Sequence, residues 1–296
     1  MPDLDAIVSS SRAVCPFCPG KIEDGTPRFP EDIVAGGRVR RGEALLFPNL
    51  FPYDDLSAVA ILCREHFHAM DAIPAKLIRD GLGVARDFFA IVSGNLDSPR
   101  SFGLVTWNYM PPAGASQVHP HLQVVLTSHS GNALDRQFQG EQAYFAHAGR
   151  CYWQDLLEQE ERRAERWIGR ENDVAWMVPY APTGLLGDCL AVFPGRATLL
   201  DLTEADVDAF ARSLVRILRG FAGRGLWSFN LSFFPDSFGA ASGTRWLTAK
   251  LLPRFYLNPK LHVTDSSYLQ LLLEEKLGMI YPEETAALLR GAFGDA

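Results

Sequence analysis

The sequence predicts an α+β fold in which a largely antiparallel sheet is flanked by helices. Short apolar runs at residues 58–62 and 189–193 suit strands at the centre of a sheet. Residues 73–93 and 202–221 instead carry apolar side chains at helical spacing. The same order of strand, strand, helix, strand, strand is found around both pairs, which indicates an internal duplication.

The elements follow one another in a similar order in the two copies, which we assign to residues 1–140 and 141–296. After a polar lead at 1–14, we expect loop and hairpin structure at 21–44, two strands within 45–62, a helix at 73–93, and strands at 101–110 and 118–126. In the second copy we expect a charged helix at 141–169, strands near 176–180 and at 189–193, a helix at 202–221, strands at 226–234 and 245–252, and closing helices at 267–277 and 282–289.

Composition excludes several classes of function. The net charge of −7 argues against a nucleic-acid backbone as the main partner, although a small phosphorylated molecule needs only local donors. No apolar run is long enough to span a membrane, and the acidic start is unlike a secretory signal, so we expect no membrane partner. Five cysteines without such a signal predict reduced thiols and a cytoplasmic location.

The stretch 118–126 carries an unusual polar pattern for a buried strand. Alternation would place His119, His121 and Gln123 on one face and apolar residues on the other. Neutral imidazole binds zinc and is also a nucleophile near neutral pH, so two histidines at this spacing can divide the two tasks. Pro120 removes a ladder donor and suits a strand end, an edge or a bulge. The alternative is a half-exposed strand with two surface histidines.

Cys15 and Cys18 form a Cys-x-x-Cys turn rich in proline and glycine, which is typical of a compact metal knuckle. A redox pair and a chance pattern are the alternatives, but a redox pair usually opens a helix. Two more ligands must come from elsewhere. His66 or His68, just after a buried strand, is placed to supply one of them.

Two further segments could meet phosphate. The loop 111–117, which contains Gly114 and Ser116, leads into the histidine strand, and small residues let backbone N–H groups approach an anion closely. Arg38, Arg40 and Arg41 form a basic cluster that we interpret mainly as a solvated face.

These motifs together resemble the galactose-1-phosphate uridylyltransferase family of the histidine triad superfamily, over residues 15–290. The family's His-Pro-His-Gly-Gln signature is similar to residues 119–123, where Leu122 stands in place of glycine. The resemblance implies duplicated histidine-triad-like units. The other matching positions are Cys15, Cys18, His66, Asn49, Phe51, Asn108, Gly114, Ser116 and the segment 272–290.

The resemblance also implies roles for these residues. Cys15, Cys18, His66 and His119 would hold a structural zinc ion. His121 would attack the α-phosphorus of a nucleotide sugar or related nucleotide, and Gln123 and Ser116 would hold the phosphate oxygens. Asn49 and Phe51 would contact the nucleoside, while Asn108 and Gly114 would contact its phosphates. The expected partners are a nucleotide sugar or other nucleotide, a sugar phosphate and a second copy of the chain.

The sequence departs from the family pattern in the second half. Thr248 and Lys250 stand where some members carry a second metal pair, so we expect no second metal. Residues 263–271 do not match the lysine and tyrosine with which the family contacts the sugar. The resemblance therefore supports the reaction type more strongly than it supports the identity of the substrate. The alternatives are a phosphorylase or hydrolase of ADP-sugars or dinucleoside polyphosphates, and a non-catalytic zinc- or nucleotide-binding protein.

Overall fold

The computed structural model describes residues 4–54, 56–95, 102–240 and 243–294. The helices are α1 Leu4–Val14, α2 Ile22–Gly25, α3 Ala75–Asn95, α4 Asn132–Ala148, α5 Tyr152–Arg163, α6 Glu204–Ala222, α7 Tyr268–Leu272 and α8 Pro282–Gly294. The strands are β1 Val39–Arg41, β2 Ala44–Pro48, β3 Leu56–Ile61, β4 Phe102–Tyr109, β5 His121–Thr127, β6 Trp167–Glu171, β7 Val174–Met177, β8 Cys189–Phe193, β9 Ser228–Phe234, β10 Leu247–Arg254, β11 Tyr256–Asn258 and β12 Val263–Thr264.

Ten of these strands form one antiparallel sheet, in the order β1-β2-β3-β5-β4-β9-β10-β8-β7-β6. Counted outward from the centre, the first half of the chain contributes β4, β5, β3, β2 and β1. The second half contributes β9, β10, β8, β7 and β6 in the same pattern. The predicted α+β fold with duplicated units is therefore confirmed, whereas the boundary between residues 140 and 141 lies inside α4 and stays a prediction.

Helices α3 and α6 contact each other and strands of the sheet, so one face of the sheet is covered by apolar packing. Trp107, Trp176 and Phe210 are among the fully buried side chains of this core. Helix α6 begins at an N-cap, where the Thr203 side chain accepts a hydrogen bond from Asp206 N. This packing fixes the central strands on which the candidate site lies.

The opposite face is covered at its two ends. Near β2 and β3, the Cys15–Cys18 loop places Phe17 on a small apolar cluster. Near β7 and β8, α5 places Trp153 and Leu157 on a second cluster. Between them, polar side chains of β4 and β9, such as Thr106 and Ser232, are only partly buried. The centre of this face therefore offers a polar floor.

Some elements differ from the sequence prediction. The polar lead is helix α1, and the charged helix expected at 141–169 is divided into the end of α4, helix α5 and strand β6. Gly149 ends α4 because it adopts a left-handed φ of 69° and donates to Phe145 O. No helix in the described ranges has both the length and the apolar character needed to cross a membrane.

Candidate active site and metal centre

The strand at the candidate site begins at His121, three residues later than the alternation predicted. Pro120 has no N–H to donate, and its carbonyl accepts from Leu62 N just beyond the last strand pair. His119 therefore precedes the strand and is fully buried beside the cysteines. Only His121 and Gln123 of the three predicted residues therefore belong to β5, and His119 lies just before the strand, although its ring, like that of His121, contacts Phe17 edge to face.

Cys15, Cys18, His66 and His119 each offer one ligand atom, and these atoms all lie within 4.8 Å of one another. Cys18 Sγ lies 3.4 Å from His66 Nδ1 and 3.8 Å from His119 Nδ1. Ligand atoms around a tetrahedral zinc ion are roughly 3.3–3.8 Å apart. The spacing and the two-thiol, two-imidazole donor set therefore both fit zinc.

The second ring nitrogen of His119 supports this fit. His119 Nε2 lies 2.8 Å from Cys63 O, and because a carbonyl only accepts, Nε2 carries the proton. The Nδ1 lone pair is then directed to the cluster. Burial also lowers the pKa of His119 to about 4, so this imidazole is neutral at physiological pH.

The cysteines need a cation to act as thiolates. Burial raises the pKa of the Cys15 thiol to about 11 in the metal-free chain. A divalent ion would reverse this by stabilising the thiolate. Because two neighbouring imidazoles offer further ligands, the metal knuckle is favoured over a redox pair.

His68, the alternative to His66, lies elsewhere. It belongs to a different group with Cys63 and Glu65, whose potential ligand atoms are also close together. Burial raises the pKa of the Cys63 thiol to about 12, and this thiol donates to Glu65 O. The first cluster instead brings two thiols and two imidazoles together, with Cys18 Sγ 3.4 Å from His66 Nδ1. The geometry therefore favours His66 in the first cluster.

The His121 ring lies against the Phe17 ring, edge to face, at a centroid distance of 5.5 Å. Its Nδ1 lies 2.8 Å from His119 O, so Nδ1 carries the proton and Nε2 keeps its lone pair. Burial lowers the pKa of His121, which keeps the ring neutral. A neutral, oriented imidazole with a free ring nitrogen is suited to nucleophilic attack.

A cavity of about 210 Å³ lies beside this imidazole. Its walls include the predicted site residues Asn49, Phe51, Ser116, His121 and Gln123. Asn49 Nδ2 donates to Gln123 Oε1 over 3.1 Å. This bond links the residue predicted to contact the nucleoside with one predicted to hold the phosphate. The remaining walls, which are largely apolar, suit a planar base.

The remaining predicted contacts lie outside the lining of this cavity. Asn108 is on β4, and Gly114 follows the turn 111–113 with a left-handed φ of 81°. The arginine cluster forms ion pairs rather than a free basic patch: Arg38 and Arg40 contact Glu23. A larger cavity of about 440 Å³ lies between α6 and α8. The described residues of its lining include no histidine or cysteine, so it offers no imidazole or thiol as a nucleophile.

Sequence reasoning missed two polar residues contributed by the second half. Asn230 Nδ2 donates to Asn108 Oδ1 over 2.7 Å and to Ala113 O over 2.8 Å. Arg254 Nη1 in turn donates to Asn230 Oδ1 over 2.6 Å. The signal was the alternation of polar residues along β9, which aligns Asn230 with Asn108 across the two central strands. These bonds hold the loop that leads into the histidine strand.

Asn230→Ala is expected to loosen this loop, because it leaves the Asn108 and Ala113 oxygens without their donor. We expect about 1–3 kcal/mol less unfolding free energy and a KM for the substrate about fivefold higher, since a misplaced loop weakens positioning. Denaturant titration and steady-state kinetics measure the two effects. Asn258→Ala, at an exposed position, is the control. An unchanged KM in a destabilised Asn230 variant would contradict the positioning role.

No family model matches the chain. A protein of Archaeoglobus fulgidus of uncharacterized function is 28% identical over 289 residues, covering 97% of this chain and 84% of the relative. That relative matches almost the whole chain and indicates no activity.

Several solved structures superpose on most of the chain. A uridylyltransferase mutant superposes with a TM-score of 0.76 at 18% identity, covering 94% of this chain and 93% of that one. An ADP-glucose phosphorylase from Arabidopsis thaliana gives 0.76 at 15% identity over 94% and 90%. A GalT-like protein, also from Arabidopsis thaliana, gives 0.76 at 16% over 93% and 91%. The chain therefore has the fold of uridylyltransferase and the GalT-like proteins, and the resemblance of its sequence to the galactose-1-phosphate uridylyltransferase family is confirmed at the level of fold.

Proposed function

We propose that the chain is a nucleotidyltransferase that works through a covalent nucleotidyl-histidine on His121. The observation that carries this proposal is the 2.8 Å contact between His121 Nδ1 and His119 O, which assigns the proton to Nδ1 and leaves Nε2 its lone pair in a ring that lines the cavity. The fold shared with a uridylyltransferase and an ADP-glucose phosphorylase supports it.

In the first step, His121 Nε2 attacks the α-phosphorus of a nucleotide sugar or related nucleotide diphosphate. The new N–P bond forms as the bond from phosphorus to the bridging oxygen breaks, and a sugar phosphate leaves with that bond's electron pair. In the second step, a phosphate oxygen of a sugar 1-phosphate attacks the same phosphorus and releases His121. Gln123 and Ser116 line the same cavity and would donate to the non-bridging oxygens, where charge builds.

Zinc, when bound, would supply no step of this reaction and would act as a structural cross-link. Cys15, Cys18, His66 and His119 would hold it. The carbonyl that orients the His121 ring belongs to His119 itself. Ligands that hold His119 in place therefore also hold this carbonyl in place. The chain thereby presents a rigid nucleophile.

The second candidate is a phosphorylase, in which inorganic phosphate takes the nucleotidyl group from His121. Two observations favour keeping it. One is the shared fold with an ADP-glucose phosphorylase. The other is that residues 263–271 lack the sugar-contacting pattern of the family. Transfer to water, giving a hydrolase, uses the same intermediate.

The test is a donor panel without acceptor. Incubation with UDP-glucose and ADP-glucose should add one nucleoside monophosphate to the intact mass of the protein, with the adduct on a peptide that contains His121. Adding glucose 1-phosphate, galactose 1-phosphate or inorganic phosphate should then discharge it, and the product identifies the acceptor. Absence of an adduct with every donor, together with retained nucleotide binding, would favour a non-catalytic binding protein.

Pairing with a second copy stays a prediction from the family resemblance. The described part of the chain exposes several apolar side chains near its C-terminus that suit a protein contact: Leu257, Leu261, Tyr268, Leu271, Leu272, Met279 and Tyr281. Light scattering after gel filtration measures the mass in solution.

A further inference from the structure

A second cavity of about 350 Å³ opens on the same face of the sheet as His121, but in the second half of the chain. We call it the lysine pocket. Lys250 and Thr248 of β10 lie in its floor, and Lys276 lies in its rim. Among the described residues that line it, the charged ones are these two lysines.

Strand register fixes the position of the lysine pocket relative to the candidate active site. Lys250 pairs with Ser232, Ser232 with Thr106, and Thr106 with Gln123, so all four occupy one row across β10, β9, β4 and β5. Three strand spacings separate Lys250 from Gln123, which is about 14 Å between the backbones. The pocket is therefore distinct from the nucleophile's cavity.

The Lys250 ammonium is poorly satisfied by the protein. Its Nζ lies 3.6 Å from Asp188 Oδ2 and 3.5 Å from Thr183 Oγ1, both long for hydrogen bonds of a charged donor. Asp188 is fully buried, and its other oxygen accepts from Thr183 N over 2.9 Å. An ammonium has three donors, so at least one is left for a ligand.

The local charge balance favours an anion. Lys250 and Lys276 together outweigh the single Asp188 carboxylate, and Lys276 acts electrostatically on both of the other groups. Burial lowers the pKa of Lys250, and a bound anion would stabilise the charged ammonium that burial disfavours. Since the whole chain is acidic, this positive spot is a local feature.

The walls are aromatic. Tyr152 and Trp153 of α5 form one side, and Phe234 and Tyr180 form others. The Tyr180 ring is 80% exposed and lies at the mouth, with the Arg166 guanidinium 5.5 Å from its centroid. A pocket with a cationic floor and aromatic walls suits a ring that carries a phosphate.

We propose that the lysine pocket binds a ring-bearing phosphate monoester, with Lys250 and Lys276 on the phosphate and Tyr180 against the ring. A nucleoside monophosphate and a sugar phosphate share this chemistry. The site does not depend on the proposed transfer reaction, because it uses none of the residues around His121.

The experiment is isothermal titration calorimetry of the intact chain with AMP, UMP, glucose 1-phosphate and inorganic phosphate. Because the nucleophile's cavity can also bind nucleotide, the comparison that matters is Lys250→Met against Lys260→Met. Lys260 is exposed outside the pocket, so its variant loses the same charge elsewhere. We expect Lys250→Met to weaken one binding event about tenfold or more and Lys260→Met to leave it unchanged.

Two further variants keep the test decisive if Lys250→Met folds poorly. Lys276→Met, at an exposed position, should weaken binding several-fold, and Asp188→Asn should strengthen it, because it removes the competing carboxylate. Opposite signs from neighbouring substitutions do not arise from general destabilisation. Binding that is equal in the Lys250, Lys276 and Lys260 variants would overturn the proposal, as would failure of all four probes to bind at this site.

The probe that binds most tightly then shows whether the phosphate belongs to a nucleotide or to a sugar. Tighter binding of AMP or UMP than of glucose 1-phosphate assigns the pocket to a nucleotide, and the reverse order assigns it to a sugar phosphate. Inorganic phosphate binding as tightly as either would contradict the role of the aromatic walls. If the chain binds a probe in a Lys250-dependent way but forms no adduct, the result would support the lysine pocket and contradict the proposed transferase activity.

Discussion

His121→Asn is expected to abolish the covalent adduct and to lower nucleotidyl transfer by roughly four orders of magnitude. Asparagine can still donate an N–H toward the His119 carbonyl, but an amide has no nucleophilic lone pair to offer in place of Nε2. The first step then has no attacking atom. Intact-mass measurement after incubation with donor, and steady-state kinetics with donor and acceptor, report the loss.

The matched control is His147→Asn, which makes the same substitution on the exposed face of α4. It should form the adduct at the rate of the unaltered chain. Thermal unfolding of both variants shows whether the buried site tolerates asparagine. Transfer that persists in a folded His121→Asn variant, at a rate near that of the control, would exclude this imidazole as the nucleophile.

Cys15→Ser is expected to remove the metal and to lower the unfolding free energy by about 3 kcal/mol or more. The unaltered chain should hold about one zinc ion per molecule. The four ligands come from three separate stretches, the Cys15–Cys18 loop and the segments around His66 and His119, so the ion closes long loops. A serine hydroxyl is a weak zinc ligand, and the remaining three donors would be left without a common partner.

Cys151→Ser provides the control for this loss. Cys151 is also a buried free thiol, but it stands at the N-cap of α5, where serine is a favourable residue. Metal analysis by mass spectrometry and denaturant titration should show full zinc content and near-normal stability for this variant. A metal-free preparation of the unaltered chain that unfolds at the same temperature as the zinc-loaded one would rule out the structural role.

Local pattern predicted the fold well where elements are regular. The strand Cys189–Phe193 and the helices α3 and α6 were identified because apolar periodicity and burial agree over their length. The same reasoning joined residues 141–169 into one helix. It could not see that Gly149 would take a left-handed conformation and end α4, since that choice depends on where the chain must turn.

The candidate site shows the same division. Spacing identified Cys15, Cys18, His119 and His121 as chemically important, because thiols and imidazoles at these intervals have few structural uses. It placed His119 inside the strand, which instead begins at His121, since the effect of Pro120 on the start of the strand depends on how β3 pairs with β5. Only the assembled sheet brought Asn230 and Arg254 to Asn108, across more than a hundred residues of chain.

The sequence by itself determined the duplicated α+β architecture and the residue types available for chemistry. Both follow from side-chain periodicity and composition, which are local properties. The tertiary structure alone decided which ring nitrogens are free, because that depends on which carbonyl each histidine meets. It also decided that Lys250 faces a pocket with Lys276 and a buried Asp188, since contacts between distant segments form only when the whole sheet closes.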